Sequence, residues 1–293
     1  MTESHQRPFS IKIFVPDGDP EGLRVVEKSN WTGVGVVFRR TNYKQALSRN
    51  EFTRTGVYVL IGPSEDSSLP TIYVGEGDPV KDRFNQHYSK KDFWEWAVFF
   101  TSKDGSMNKA DVKYLESRLL ELAKDAKQCK LDNTQTSLPP SLTESEVADN
   151  ESLLLDILNI FPLLGLGVFE KVVSTSTPSS LLLYIDAKGV KAKGFEDAKG
   201  FVVCKGSQMV KKTVSSAHKY VITLRNDLIE QGVITGIGNV YVFTQDQVFG
   251  SPSTASGVIL GQSNNGRVSW KTKDGTTLKA LQSASANGEG EDV

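Results

Sequence analysis

Five side chains between Tyr58 and Glu116 carry chemistry that their spacing can bring together. Tyr58 and Tyr73 each stand beside glycine in a short apolar run, Gly56-Val57-Tyr58-Val59-Leu60-Ile61-Gly62 and Ile72-Tyr73-Val74-Gly75. Arg83 and His87 are four residues apart, so a helix places them on one face. Glu116 lies at the edge of an apolar helical stripe, in the row of Val112, Leu119 and Ala123. A guanidinium fork grips phosphate or carboxylate, and an imidazole moves protons or positions water near neutral pH. A single carboxylate can hold a hard cation that keeps most of its waters. A phenol titrates at ~10 and needs positive charge nearby to act as a base. Taken one at a time these residues also have ordinary roles: strand packing for the tyrosines, an ion pair with Asp82 or Asp78 for Arg83, a half-exposed helix surface for Glu116. Their order along the chain separates the two accounts.

The elements that must position them are legible. Both tyrosine runs are rich in β-branched and aromatic residues and are joined by a loop with Gly62, Pro63, Ser64, Asp66 and Pro70, which predicts an antiparallel hairpin. Glu76-Gly77-Asp78-Pro79 ends the second strand and starts a helix, with Asp78 as N-cap and Pro79 at the first helical position. Val80, Phe84 and Tyr88 form its apolar stripe. A strand follows in which Trp94, Trp96, Val98 and Phe100 alternate with Glu95, Ala97 and Phe99. Asn108, with Asp111 three residues on, caps a second helix whose core stripe is Val112, Leu115, Leu119, Leu122, Ala123 and Ala126.

This ordered set resembles the GIY-YIG nuclease family, with the signature written here as Gly56-Val57-Tyr58 and Tyr73-Val74-Gly75. The resemblance covers about Arg54 to Asn133, under a third of the chain. It implies a small α/β nuclease core, a three-stranded antiparallel sheet with helices, and a metal-dependent DNA endonuclease that hydrolyses phosphodiester bonds, with a role in restriction or defence. It implies a site of Tyr58, Tyr73, Arg83, His87, Glu116 and Asn133. Glu116 would be the ligand of Mg²⁺ or Mn²⁺ and Arg83 the grip on the scissile phosphate. Of the tyrosines, Tyr73 is the nearer to a base role. Asn133 stands in for an asparagine that relatives carry after the glutamate helix. A reading from another class is a non-catalytic DNA-binding protein on a decayed nuclease core; a metal-dependent nicking assay separates the two.

The composition is that of an ordinary soluble protein of 293 residues with a net charge of −1, long enough for two domains. DNA binding must therefore come from local clusters rather than bulk charge. Two cysteines, Cys129 and Cys204, make no disulfide framework or zinc site, which fits a cytoplasmic setting. The start of the chain carries no apolar signal region. The apolar run Leu153 to Phe169 is interrupted by Asp156, Pro162 and Gly165, so no membrane span is expected.

These features predict an α+β protein in five parts: 1–50, an N-terminal β extension; 51–135, the nuclease-like core; 136–178, a helical connector whose helix opens at Thr143 with Glu146; 179–282, a C-terminal DNA-binding domain; and 283–293, a disordered tail. In the C-terminal domain, Gly200-Phe201-Val202-Val203, Lys205-Gly206-Ser207 and Phe249-Gly250-Ser251-Pro252-Ser253 resemble an uncharacterised domain found behind bacterial GIY-YIG modules. Leu228 to Leu281 is similar to the RAMA domain of restriction and methylation enzymes, through the Ser-Pro-Ser segment, the Asn265-Gly266 turn, Trp270, and Gly275 before Leu278. That resemblance implies DNA binding. Arg267 to Trp270 is expected as a last strand. Between Asp186 and Arg225, eight lysines and one arginine face three acids, either a solvated face or a nucleic-acid surface.

Overall fold

A strand that is apolar on both faces has no side to give to water and must sit inside a covered sheet. Gly33–Arg39 is such a strand, and it decides the architecture of the first half of the chain. In the computed structural model, which describes residues 8–64, 69–134, 139–170, 181–215 and 217–288, the chain divides into two compact units on either side of Glu170.

The first unit contains, in order, β1 (Ile11–Phe14), β2 (Arg24–Lys28), β3 (Gly33–Arg39), α1 (Tyr43–Leu47), a 3-10 turn (Asn50–Thr53), β4 (Gly56–Gly62), β5 (Thr71–Gly77), α2 (Val80–Lys90), β6 (Trp96–Ser102), α3 (Lys109–Ala126), β7 (Lys130–Leu131) and α4 (Glu144–Ile160). All seven strands form one sheet in the order β1-β2-β3-β6-β4-β5-β7. The expected antiparallel trio, β6-β4-β5, lies inside it. The sheet is nevertheless larger than three strands, and the N-terminal strands are no separate extension: β3 pairs with β6 from Gly33↔Ser102 to Arg39↔Trp96. Every residue of β6 after Trp96 is buried, so its expected in-and-out alternation is an alternation between two covered faces. Trp94 lies before the strand, fully buried beneath the guanidinium of Arg40.

Each face of the sheet has its own cover. Tyr58 and Leu60 of β4, Phe38 and Phe99 pack with Val80 and Phe84 of α2. Val57, Val59 and Ile61 of β4 and Ile72 and Val74 of β5 pack with Val112, Leu115, Leu119 and Ala123 of α3. Helix α4 starts at the capping box of Thr143 and Glu146 as expected. It is not a connector, because Leu154, Ile157 and Ile160 enter the α3-side core. Asn150 Nδ2 donates to Asp111 Oδ1 at 2.9 Å, and Arg118 Nε pairs with Glu151 at 2.6 Å. Of that expected connector, 136–138 and 171–178 lie outside the described residues.

The second unit contains β8 (Leu183–Ala187), β9 (Val190–Asp197), β10 (Gly200–Val203), β11 (Gln208–Val210), α5 (Lys219–Glu230), β12 (Ile234–Ile237), β13 (Val240–Phe243), β14 (Gln247–Phe249), α6 (Pro252–Leu260), α7 (Gly266–Ser269) and α8 (Leu278–Gly288). Two antiparallel sheets, β14-β10-β9-β8 and β11-β13-β12, enclose a core around Trp270, Phe201 and Met209. The expected last strand at Arg267 to Trp270 is instead the helical turn α7, capped by Asn265. Close packing explains it: a Cβ on Gly266 would stand 2.2 Å from the backbone of Pro252, and the Trp270 indole donates to Pro252 O at 3.0 Å. The chain does not lose structure at Ser283 either. Leu278 and Leu281 anchor α8 to the core, and the helix runs to Gly288; 289–293 lie outside the described residues.

Candidate functional site

The hairpin sets Tyr58 opposite Gly75 and Leu60 opposite Tyr73. By strand alternation Tyr58, Tyr73 and Gly75 then share one face. A Cβ on Gly75 would lie 2.4 Å from Tyr58 Oη, so the glycine is the space through which the first tyrosine reaches across β5. A Cβ on Gly56 would meet Phe99 at 2.1 Å. Both glycines therefore answer to sterics within their strands.

Helix α2 enters one residue later than expected. Pro79 is its N-cap and makes no side-chain cap, while the Asp78 carboxylate accepts from Thr55 Oγ1 at 2.6 Å. Asp78 thus ties the helix entry to the chain before β4. Val80, Phe84 and His87 face inward; Tyr88, expected in that stripe, is largely exposed and stacks on Tyr43 at 3.9 Å. His87 Nε2 lies 2.7 Å from Tyr58 Oη, and its ring centre is 4.7 Å from that of Tyr73. Arg83, one turn earlier, is half-buried and bonds Gln86 at 3.3 Å, not Asp82 or Asp78. Lys91 holds its ammonium 4.3 Å above the Tyr73 ring and pairs with Asp132.

Burial, with the charges of Arg83 and Lys91 beside it, pushes His87 down to about 4, so the imidazole is neutral at physiological pH. Burial pushes the Tyr58 phenol well above its usual value, and Tyr73 adds to the rise. Tyr73 is raised too, again by burial, with Arg83 pulling the other way. Tyr73 is the only one of the two phenols open to solvent.

Glu116 lies on α3 and so approaches from the other side of the sheet. It is 7% exposed and has no hydrogen bond or ion pair among the described residues. Between the two faces, β5 pairs with β4 along one edge and with β7 along the other over Thr71 and Ile72. Beyond Ile72 that edge has no strand partner among the described residues. Arg83 lowers the Glu116 carboxyl, and Glu116 raises both tyrosines. The net effect on Glu116 is upward, from the ordinary 4.5 to about 7, because burial comes first and the charge of Glu76 second. Glu76 is the residue that pattern reading passed over. Its signal was strand alternation: with Ile72 and Val74 facing α3, Glu76 must face α3 as well. It pairs with Lys109 at 2.5 Å.

A testable consequence concerns stability. A carboxyl raised in the folded state keeps its proton between pH 4.5 and about 7, where the unfolded chain has released it. Stability therefore falls as pH rises through that window and stays lower above it, by about 3 kcal/mol. Glu116→Gln removes the titration. It is expected to raise the melting temperature of the first unit by roughly 6–12 °C at pH 8 and to leave it near wild type at pH 4.5. Thermal melts of both proteins across pH check this.

Asn133 is engaged by the backbone rather than by the cluster. Its side chain accepts from Val74 N at 3.0 Å and donates to Val74 O at 2.7 Å. It does for the β5 edge what another strand would do, directly after the two-residue strand β7 ends. The structure thus brings Tyr58, Tyr73, Arg83 and His87 into one cluster, couples Glu116 to it by charge, and leaves Asn133 as a backbone clamp.

In the second unit all eight lysines of the basic stretch are exposed, but Arg225 is not. Its guanidinium is buried and donates to Val258 O and to Val210 O. A groove of about 690 Å³ is bordered by Tyr184, Lys191, Lys271 and Lys273. Residues 183–282 match a family described as a domain of unknown function (DUF4357). The match begins at the first residue of β8 and ends inside α8, so it spans the described body of the second unit. No curated protein and no solved structure matches the chain. Among the described residues no helix is long and apolar enough to cross a membrane, and no group of three or more His, Cys, Asp or Glu is placed to hold a metal ion by itself.

Proposed function

We propose that the first unit is a GIY-YIG-type endonuclease core that hydrolyses phosphodiester bonds in DNA with Mg²⁺ or Mn²⁺ held at Glu116, and that the second unit is a DNA-binding domain akin to RAMA domains. The observation that carries the reading is the cluster of Tyr58, His87 and Tyr73 beside Arg83, joined by a hydrogen bond and tilted ring contacts, within electrostatic reach of a buried carboxylate that has no hydrogen bond or ion pair among the described residues. Packing alone would not favour leaving a carboxylate there unpaired.

The donor set suits the ion. Glu116 offers hard oxygen atoms, and a Mg²⁺ site needs only one or two carboxylates because the ion keeps waters and binds substrate phosphate. When bound, such an ion offsets charge that develops on the phosphate. The chain's own residues do the rest. Arg83, held by a long bond to Gln86 and by its interaction with the Tyr58 and Tyr73 hydroxyls, presents the forked donor set that suits a grip on the scissile phosphate. Neutral His87 fixes the Tyr58 hydroxyl, so Tyr58 is a positioning group. Tyr73 is the more accessible phenol; burial raises it and Arg83 opposes the rise, so its role as the base that activates water would draw on the charge of the bound cation as well as on Arg83.

The second unit supplies eight exposed lysines for phosphate contacts, and restriction or defence is the setting that a nuclease joined to such a domain fits. Relaxation of supercoiled plasmid by the purified chain, with Mg²⁺ or Mn²⁺ and with EDTA, tests the proposal. Metal-dependent nicking is expected. DNA binding without nicking under every metal condition would leave the non-catalytic DNA-binding reading in its place.

A further inference from the structure

We infer that Glu76 is a second carboxylate of the divalent-cation site at Glu116, and that Lys109 occupies in the metal-free protein the counter-charge position that the cation takes over. The inference rests on the reading of Glu116 as an ion ligand and adds a residue and an exchange to it.

Three placements converge. Glu76 is the last side chain of β5 on the α3 face before Gly77, at the open part of the strand edge past the clamp of Asn133 on Val74. Lys109 is the first residue of α3 and reaches across to Glu76 at 2.5 Å. Glu116 is seven residues further along α3, two turns, and so lies on the same helix face as Lys109. Glu76 thus stands between a lysine that pairs with it and a buried carboxylate that has no hydrogen bond or ion pair among the described residues, although the charges of Arg83, Lys109 and Lys113 act on it from a distance.

The two acids differ in a way that points to a ligand. Glu76 has a partner that is itself 46% exposed, on a flexible stem that can swing into water at little cost. Glu116 is more than nine-tenths buried with no hydrogen bond or ion pair among the described residues, and the charge of Glu76 disfavours its ionised form. A hard divalent cation between them relieves both costs. Lys109 makes a direct ion pair with Glu76 and reaches Glu116 only through its field. Mg²⁺ or Mn²⁺ holding several waters needs no direct contact from Glu76, which can act through a bound water; such supporting carboxylates typically matter by about 10–100-fold in affinity.

The experiment is a Mn²⁺ titration of the full chain without DNA, following free Mn²⁺ by electron paramagnetic resonance, with thermal melts confirming folding. Glu76→Gln is expected to weaken binding by about tenfold or more, and Glu76→Asp, which keeps the charge, to restore most of it. Lys109→Met is expected to shift affinity the opposite way, to about threefold tighter, because it removes the competing cation. Glu116→Gln should remove the site. Unchanged affinity in Glu76→Gln beside lost binding in Glu116→Gln would overturn the role of Glu76 and leave the Glu116 reading standing. Weaker binding in Lys109→Met would overturn the exchange. Absence of Mn²⁺ binding by the wild type would overturn both the inference and the reading beneath it.

Discussion

Glu116→Gln is expected to lower metal-dependent DNA nicking by at least about a thousandfold, roughly 4 kcal/mol of transition-state stabilisation, in a protein that melts higher at pH 8 than wild type. The two effects share one cause. A carboxylate that is 7% exposed and unpaired burdens the folded state, and a chain keeps such a group when activity needs it. Glutamine has the same shape and no charge, so it relieves the burden and cannot neutralise a bound cation. The tyrosines remain where they are, because they pack on the other face of the sheet. Initial rates on supercoiled plasmid, measured beside melting curves, check both halves. Wild-type nicking by a stable Glu116→Gln protein would remove the ion from Glu116. A loss of activity with a lower melting temperature would mean that Glu116 is structural.

The parts of this arrangement that were legible in the sequence are those decided by neighbours in the chain. The hairpin of Gly56–Gly62 with Thr71–Gly77 and the capping box of Asn108 with Asp111 follow from local turn and cap chemistry. The pairing of Arg83 with His87 follows from helical spacing. What escaped was decided by partners far along the chain. β3 joins β6 across more than fifty residues, so the size of the sheet cannot be read from either segment alone. α4 looks like a connector until Leu154 and Ile157 meet α3. Arg267 to Trp270 has strand-like composition, yet Asn265 and the tight Gly266 contact with Pro252 wind it into a turn. Asn133 was assigned chemistry because its type and rough place fitted. Only the fold reveals that both ends of its amide are used by Val74. Glu76 was the opposite case: alternation along β5 already placed it toward Glu116, but it lay inside a motif whose tyrosine drew the reading.

Ending the chain at Glu170 is expected to weaken DNA binding by about a thousandfold at moderate salt and to flatten its salt dependence. The first unit has its own sheet and two-sided core and ends at that residue, so the shortened chain should fold. Its cluster offers Arg83 and Lys91 to a phosphate, a small footprint. The second unit adds eight exposed lysines between Asp186 and Lys219, opposed by the exposed acids Asp186, Glu196 and Asp197, and a groove with Lys271 and Lys273 beside Tyr184. If about five of these lysines contact phosphates, the slope of log affinity against log salt should be shallower by about 4 in the shortened chain. Arg225 contributes nothing to that difference, since its guanidinium is spent on backbone carbonyls inside the core, and Lys191, Lys271 and Lys273 are the substitutions to make in the full chain. Fluorescence anisotropy with a labelled duplex across a salt series measures affinity and slope together. At high enzyme concentration the shortened chain should still nick DNA, because the cluster and Glu116 are intact. Equal affinity and equal slope for the two chains would show that the lysines are a solvated surface, and would turn the second unit toward a protein partner.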